Sequence, residues 1–176
     1  MIRRRRDSIN VYLVDDDELH LRILLNKFAT TTSYNINTYT NGEDLLEYFV
    51  QNNFPKKSIN IVVLDYMLSV SGDRKNGVEI LKLLKDINSD TEVIMLSGKG
   101  DIDTAINAMH HGAITFIEKS ESSFARLNNN IKWIISEKRL KQKKGESVFS
   151  TKLFIFLSIG ILVILYLIYL IFPNLF

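Results

Sequence analysis

The sequence contains no cysteine among its 176 residues. A disulfide framework and a thiolate metal site are therefore both excluded, and the composition suits a reducing compartment. The chain also lacks an apolar stretch behind the arginines at residues 3–6, where a signal peptide would carry one, because aspartates follow instead. We therefore expect a protein that is not secreted.

Neither sign of charge predominates, since 22 basic and 20 acidic residues leave a formal net charge of only +2. The two signs are nevertheless segregated, because basic residues gather at 3–6 and 138–144 and acidic residues gather at 15–18. Neither basic run is accompanied by a helix-turn-helix or another DNA-binding unit, so we expect no nucleic-acid partner. The length predicts one domain plus a short additional segment.

Two hydrophobic periods alternate along the chain. Five apolar or alternating runs predict strands, and each is followed by apolar residues at the spacing of a helix face. The predicted strands are 9–14, 34–40, 59–64, 91–97 and 113–119, and Gly112 is placed as the C-cap of the fourth helix. Five such units with short connections predict an α/β fold in which helices cover both faces of a parallel sheet.

Four of the predicted strands end at polar residues. These are Asp15 and Asp16 after the first strand, Asp65 after the third, Ser97 after the fourth and Lys119 after the fifth. The carboxyl ends of parallel strands meet at one edge of a sheet, so we expect these side chains to converge. Three carboxylates repel one another unless a cation binds between them. Carboxylate oxygens are hard ligands, which favour Mg²⁺ as that cation.

A carboxylate beside a metal ion, a lysine and a hydroxyl is equipped to attack a phosphorus centre. The metal and Lys119 would neutralise charge on the phosphoryl oxygens, and Asp65 would be the nucleophile. The predicted product is an acyl phosphate on Asp65. The alternative is a domain that keeps these residues without performing the chemistry.

Four segments, LVDDD, VVLDYML, VIMLSGKGD and GAITFIEK, follow one another in the chain. In this order and spacing they resemble the receiver domain of bacterial two-component response regulators over roughly residues 8–140. The resemblance implies a flavodoxin-like five-stranded sheet and a sensor histidine kinase as partner. It also implies a signalling phosphoacceptor that is not an enzyme, apart from catalysing its own phosphorylation and dephosphorylation.

The resemblance further implies the ligands of a metal ion. Asp15 and Asp16 would hold Mg²⁺ together with Asp65. The backbone carbonyl of Met67 would complete the protein ligands.

The same resemblance implies roles for the phosphoryl group. Asp65 would accept the group, and Ser97 and Lys119 would bind its oxygens, which makes these three the catalytic set. Phe116 would be the aromatic residue whose rotation accompanies a shift of Ser97, although plain core packing is the alternative for Phe116. The switch surface would extend from the fourth to the fifth helix, roughly residues 101–140, and this face is also where a homodimer would form.

The sequence departs from the family pattern in two places. The family has Lys-Pro with a cis peptide after the fifth strand, whereas this chain has Lys119 followed by Ser120. A cis bond before a residue other than proline costs about 2.5–4 kcal/mol, so we expect this peptide to be either trans or strained. The loop after Asp65, LSVSGDRKNG, lacks the family's proline and is a few residues longer.

The segment at 153–172 contains no charged residue. About 20 helical residues span roughly 30 Å, the thickness of the hydrocarbon core of a bilayer, so we expect a transmembrane helix here. Basic residues between 138 and 152 lie before it. The positive-inside rule then predicts a single-pass protein of the inner (cytoplasmic) membrane, with the preceding domain facing the cytoplasm.

These predictions divide the chain into a basic arm (1–8), a receiver domain (9–140), a basic juxtamembrane linker (141–152) and a transmembrane helix (153–172). They favour a membrane-tethered single-domain response regulator that signals by phosphorylation-dependent partner binding or by phosphorelay. One alternative is a phosphorylation-independent membrane adaptor that uses the receiver fold as a docking surface. Another is a larger membrane assembly whose output arises through helix association.

The three histidines, His20, His110 and His111, all fall on predicted helices. Their spacing suits neither a paired metal site nor a phosphotransfer helix. We therefore expect solvent-exposed or cap-like roles for all three.

Overall fold

Strands and helices alternate along the chain in the computed structural model, which describes residues 8–55, 58–68, 75–98 and 102–171. Within helix α5, the side chains of 145–153, 155 and 162–171 lie outside this description. The elements are β1 (Ile9–Val14), α1 (Glu18–Thr31), β2 (Asn35–Tyr39), α2 (Gly42–Gln51), β3 (Ile59–Asp65), α3 (Gly77–Ile87), β4 (Glu92–Ser97), α4 (Ile102–His110), β5 (Thr115–Glu118) and α5 (Ser123–Ile171).

The strands form one sheet in the order β2-β1-β3-β4-β5, and all of the neighbouring pairs are parallel. This is the flavodoxin-like order, so the predicted fold class is confirmed for the domain. The central strand β3 is buried along its whole length. Its residues up to Leu64 are apolar except for Asn60, because helices cover a parallel sheet on both faces.

The two faces of the sheet have separate cores, because successive side chains of a strand point in opposite directions. Val11 and Leu13 of β1 pack on one face with α1 and with the first part of α5. Tyr12 and Val14 pack on the other face with α2, α3 and Ala108 of α4. The largest fully buried side chains include Tyr12, Phe28, Leu13, Leu45, Ile61, Leu64, Ile80, Leu81, Leu84, Ile94 and Met95.

Three asparagines mark the register where the first strands begin. Asn10 of β1 lies opposite both Asn35 of β2 and Asn60 of β3. The amide of Asn35 donates to Oδ1 of Asn10 at 3.1 Å, and the amide of Asn10 donates to Oδ1 of Asn60 at 2.8 Å. Because Asn60 is buried, this asparagine ladder favours the observed register over a slipped one.

The end of α4 follows the sequence prediction. Gly112 has a φ of +98°, which glycine adopts at little cost. The amide of Ala113 then donates to the carbonyl oxygen of Ala108, and β5 begins two residues later. The predicted C-cap is therefore confirmed.

The chain divides into two compact units, Met1–Ile135 and Ser136–Phe176. The first contains the sheet, and the second is helical to Ile171 where it is described. Among the described residues, no helix is both long enough and apolar enough to cross a membrane. The helix predicted to span a membrane, 153–172, is thus not supported, and most of its side chains lie outside the described residues, as does nearly all of the basic arm predicted at 1–8.

Candidate functional site

Polar residues from four strands meet at the carboxyl edge of the sheet. Asp15 follows β1, Asp65 ends β3, Ser97 ends β4 and Lys119 follows β5. Asp65 lies opposite Leu96 in the register of β3 and β4, so Ser97 is one position further along the neighbouring strand. The topology therefore brings together residues that are far apart in the sequence.

Asp15, Asp16 and Asp65 form an acidic cluster at this edge. Each offers a carboxylate oxygen, and these oxygens all lie within 4.8 Å of one another. Asp15 and Asp65 are buried, whereas Asp16 is exposed. Three hard oxygen ligands of mixed burial fit Mg²⁺, which binds through a few carboxylates and keeps several waters.

Lys119 lies between the two buried carboxylates. Its Nζ is 2.7 Å from Oδ2 of Asp15 and 2.8 Å from Oδ2 of Asp65. Both contacts are charge-assisted hydrogen bonds, which are shorter and stronger than neutral ones. The ammonium thus compensates for two negative charges that would otherwise repel each other.

The environment moves the pKa values of the two carboxyl groups in opposite directions. Burial acts to raise the pKa of Asp15, but hydrogen bonds from His20, Lys119 and the amide of Asp17 outweigh it and hold this pKa below its ordinary value. Burial also raises the pKa of Asp65, where the bond from Lys119 is insufficient and the charge of Asp15 adds to the effect. Asp65 is therefore the less stabilised carboxylate.

The pKa of Lys119 is raised. Burial acts to lower it, and the two carboxylates reverse the direction through hydrogen bonds and charge. Lys119 is consequently a cation at neutral pH. It contacts both buried carboxylates although none of the described peptide bonds is cis. Ser120 thus follows Lys119 through a trans peptide.

Backbone amides fix both buried carboxylates from the other side. The amide of Asp17 donates to Oδ1 of Asp15 at 3.0 Å, and the amide of Met67 donates to Oδ1 of Asp65 at 3.1 Å. Each carboxylate is thus held by the turn that follows its strand. The ligand role of the Met67 carbonyl stays a prediction, and residues 69–74 of the longer loop lie outside the described residues.

Ser97 and Phe116 were both predicted as switch residues. Ser97 is fully buried, and its carbonyl oxygen accepts from the amide of Lys119 at 2.8 Å, which ties the ends of β4 and β5 together. Phe116 is partly buried and packs against the core on the face of Tyr12. This core packing is the alternative role that the sequence allows for Phe116. Its switching role stays a prediction.

Gly77, which sequence reasoning did not single out, lets α3 begin against the site. A Cβ atom on Gly77 would lie 2.2 Å from the carbonyl oxygen of Asp65 and 2.9 Å from Cα of Tyr66. Asn76 and Glu79 form a capping box at the same helix start. The capping pattern is visible in the sequence, but the close approach of two backbones is not.

His20 departs from its predicted role. Its Nδ1 lies 2.7 Å from Oδ2 of Asp15. A helical side chain tilts towards the N-terminus of its helix, so a polar residue in the first turn is directed back at the end of the preceding strand. That signal was available in the spacing. His111, by contrast, contacts the carbonyl oxygen of Asn107 at the end of α4, as expected of a cap-like residue.

The chain is similar in sequence and in fold to known proteins. The model of the family described as "Response regulator receiver domain" matches residues 11–132. A putative NtrX-like response regulator of Rickettsia bellii is 32% identical over 111 residues, which cover 63% of this chain and 22% of that protein. The chain therefore matches less than a quarter of the length of this relative.

Two solved structures share the fold. NtrX from Brucella abortus is 26% identical with a TM-score of 0.64, covering 79% of this chain and 29% of that one. A CheY-like receiver domain protein from Methanospirillum hungatei is 19% identical with a TM-score of 0.64, covering 77% of this chain and 99% of that one. The second likeness shows the fold alone.

Proposed function

This chain belongs to the response regulator receiver domain family, and from that premise we propose that Asp65 accepts a phosphoryl group from a sensor histidine kinase. The observation that carries the proposal is the double contact of Lys119 with Asp15 and Asp65. A fixed cation stands beside a buried carboxylate at the open edge of the sheet. This arrangement suits a reaction whose main demand is the stabilisation of phosphoryl charge.

The transfer moves one phosphoryl group from nitrogen to oxygen. An oxygen of Asp65 forms a bond to phosphorus, the phosphorus–nitrogen bond of the donor phosphohistidine breaks, and the released imidazole takes up a proton from water. Lys119 and the Ser97 hydroxyl donate hydrogen bonds to the transferred oxygens. When bound by Asp15, Asp16 and Asp65, Mg²⁺ supplies further neutralisation of phosphoryl charge.

The output of the domain is partner binding or onward phosphorelay. The proposed docking surface is α4, on which Ile102, Ile106 and Met109 expose large apolar side chains at helical spacing. Phosphorylation would alter this surface through Ser97 and Phe116. A homodimer through the same face is the alternative occupant, and sedimentation of the phosphorylated chain distinguishes it from binding of a different protein.

We propose that residues 153–172 tether the chain to the inner membrane, with the receiver domain facing the cytoplasm. The support is the absence of charge in this segment, and the exposed apolar side chains described within it, Phe154, Phe156, Leu157, Ile159 and Ile161. Confinement with a membrane-bound kinase would raise their effective concentration. The expected result is that the full chain resists alkaline extraction from membranes and that a Leu157→Lys/Ile161→Lys variant is released.

The second candidate function is a phosphorylation-independent membrane adaptor. Its support is the exposed apolar side chains of α4, Ile102, Ile106 and Met109, which are available for docking whether or not Asp65 carries a phosphoryl group. The test is incubation of the full chain in detergent with Mg²⁺ and acetyl phosphate, followed by intact mass. We expect one added phosphoryl group in the wild type and in Asp86→Asn, an exposed control, and none in Asp65→Asn or without Mg²⁺.

A further inference from the structure

His20 belongs to a closed set of contacts around Asp15. Asp17 is the N-cap of α1, and its side chain accepts from the amide of His20 at 3.1 Å. The amide of Asp17 in turn donates to Oδ1 of Asp15, and Nδ1 of His20 reaches Oδ2 of Asp15 at 2.7 Å. The imidazole is therefore held at the carboxylate by its own helix cap.

The direction of this hydrogen bond is fixed by chemistry. An ionised carboxylate only accepts, so Nδ1 of His20 must carry the proton. Both oxygens of Asp15 then have donors from the chain, because Oδ1 accepts from Asp17 and Oδ2 accepts from Lys119 and His20. These donors determine the orientation of the carboxylate plane.

The surroundings of His20 argue against a purely structural role. Its side chain is 20% exposed, and the residues of α1 that pack into the core are Leu21, Leu24 and Phe28. Replacing the imidazole therefore removes a hydrogen bond to Asp15 and leaves these three core side chains unchanged. The side-chain hydrogen bond that is lost is the one to the acidic cluster.

We propose that His20 is a positioning residue for the divalent cation at the cluster of Asp15, Asp16 and Asp65, and that its Nδ1–H sets the affinity for Mg²⁺ by orienting Asp15. This inference rests on the proposed function, which takes the cluster as a Mg²⁺ site. Groups that donate hydrogen bonds to metal-binding carboxylates commonly change metal affinity by about 10–100-fold when they are removed.

The test is calorimetric titration of the full chain in detergent with Mg²⁺ alone, without a phosphodonor. His20→Leu removes the donor, His20→Ala repeats the loss with a smaller side chain, and His20→Asn restores an amide nitrogen at the position of Nδ1. His110→Leu, on the exposed end of α4, is the matched control. Circular dichroism without Mg²⁺ verifies that each variant is folded. If one of the two donor-free variants, His20→Leu or His20→Ala, does not fold, the other provides the test.

We expect His20→Leu and His20→Ala to bind Mg²⁺ about 10-fold more weakly than the wild type, with His20→Asn and His110→Leu within about 3-fold of it. An unchanged affinity in the donor-free variants overturns this inference and leaves the proposed function standing. Tighter binding also overturns it, because His20 would then compete with the cation for Asp15. A wild type that binds no Mg²⁺ overturns both the inference and the metal site of the proposed function.

Discussion

Lys119 donates a hydrogen bond of 2.8 Å to Oδ2 of Asp65, although 54 positions separate the two residues in the chain. The same ammonium lies 2.7 Å from Oδ2 of Asp15. One cation thus contacts two buried carboxylates, and its positive charge offsets the repulsion between their negative charges. We therefore expect the stability of the metal-free domain and the proposed phosphoryl transfer to depend on the same three side chains.

Replacement of Lys119 by Met removes this cation. We expect Lys119→Met to lower the free energy of unfolding of the metal-free chain by about 1–3 kcal/mol at neutral pH, because two buried acceptors lose a charged donor. Chemical denaturation followed by circular dichroism measures the change. Lys141→Met is the control, since Lys141 pairs with Glu137 on an exposed helix surface, and it should cost less than about 0.5 kcal/mol. Equal effects of the two substitutions would contradict the account.

The opposite pKa shifts predict opposite pH dependences for two substitutions. The pKa of Asp65 is raised in the folded state, so its ionisation favours unfolding as the pH rises through that pKa. We expect Asp65→Asn to raise the Tm of the metal-free chain at neutral pH, with the gain fading as the pH falls below the ordinary value of 3.8. Thermal melts over a pH series provide the measurement.

For Asp15 the sign is reversed. Its folded pKa is lowered, so its contribution to stability is present above the ordinary value of 3.8 and is lost as the pH falls through the folded pKa. We expect Asp15→Asn to lower the Tm at neutral pH and to have little effect in strong acid. The same melts test it, and a Tm for Asp15→Asn that matches that of Asp65→Asn across the series would refute the assignment.

Gly77 is expected to be intolerant of any side chain. A methyl group there would contact the carbonyl oxygen of Asp65, so α3 must shift away from the site. Gly77→Ala should lower the free energy of unfolding by about 1–3 kcal/mol and slow phosphorylation of Asp65. Gly98→Ala is the control for stability, since, among the described residues other than its chain neighbours, none has an atom within 4 Å of the added Cβ. Similar denaturation midpoints for the two variants would show that the close approach is unimportant.

The asparagine ladder gives a prediction that is independent of the site. Asn10→Val leaves the buried Oδ1 of Asn60 without its donor, and should cost about 1–3 kcal/mol. Asn35→Val, at the exposed end, should cost less. The double variant Asn10→Val/Asn60→Val should recover part of the loss, because replacing both partners removes the unpaired group. Additive losses in the double variant would argue against the ladder.

The parallel sheet, and the residues that lie at the carboxyl ends of its strands, could be predicted from the sequence. Buried parallel strands have continuous apolar runs, and polar residues that end such runs must share an edge. Asp15, Asp65, Ser97 and Lys119 were found in this way. Gly112, which ends α4 with a positive φ, also followed from a local pattern, whereas the strand order was implied only by the family resemblance.

The contacts within the site could not be predicted as readily. Whether Lys119 contacts one carboxylate or both depends on small differences in atomic position, and the hydrophobic pattern of the sequence does not specify them. The approach of Gly77 to Asp65 depends on how α3 is seated against the end of β3. The contact of His20 with Asp15 does not follow from the spacing of the histidines, and only the direction of side chains in the first helical turn indicates it.

The most direct test of the account is to locate the phosphoryl group. The full chain in detergent is incubated with Mg²⁺ and acetyl phosphate and treated with borohydride, which reduces an aspartyl phosphate to homoserine, and its peptides are sequenced by mass spectrometry. The account predicts homoserine at the position of Asp65 alone, and only when both Mg²⁺ and the phosphodonor were present. Homoserine at another aspartate, or none in a folded chain, would contradict it.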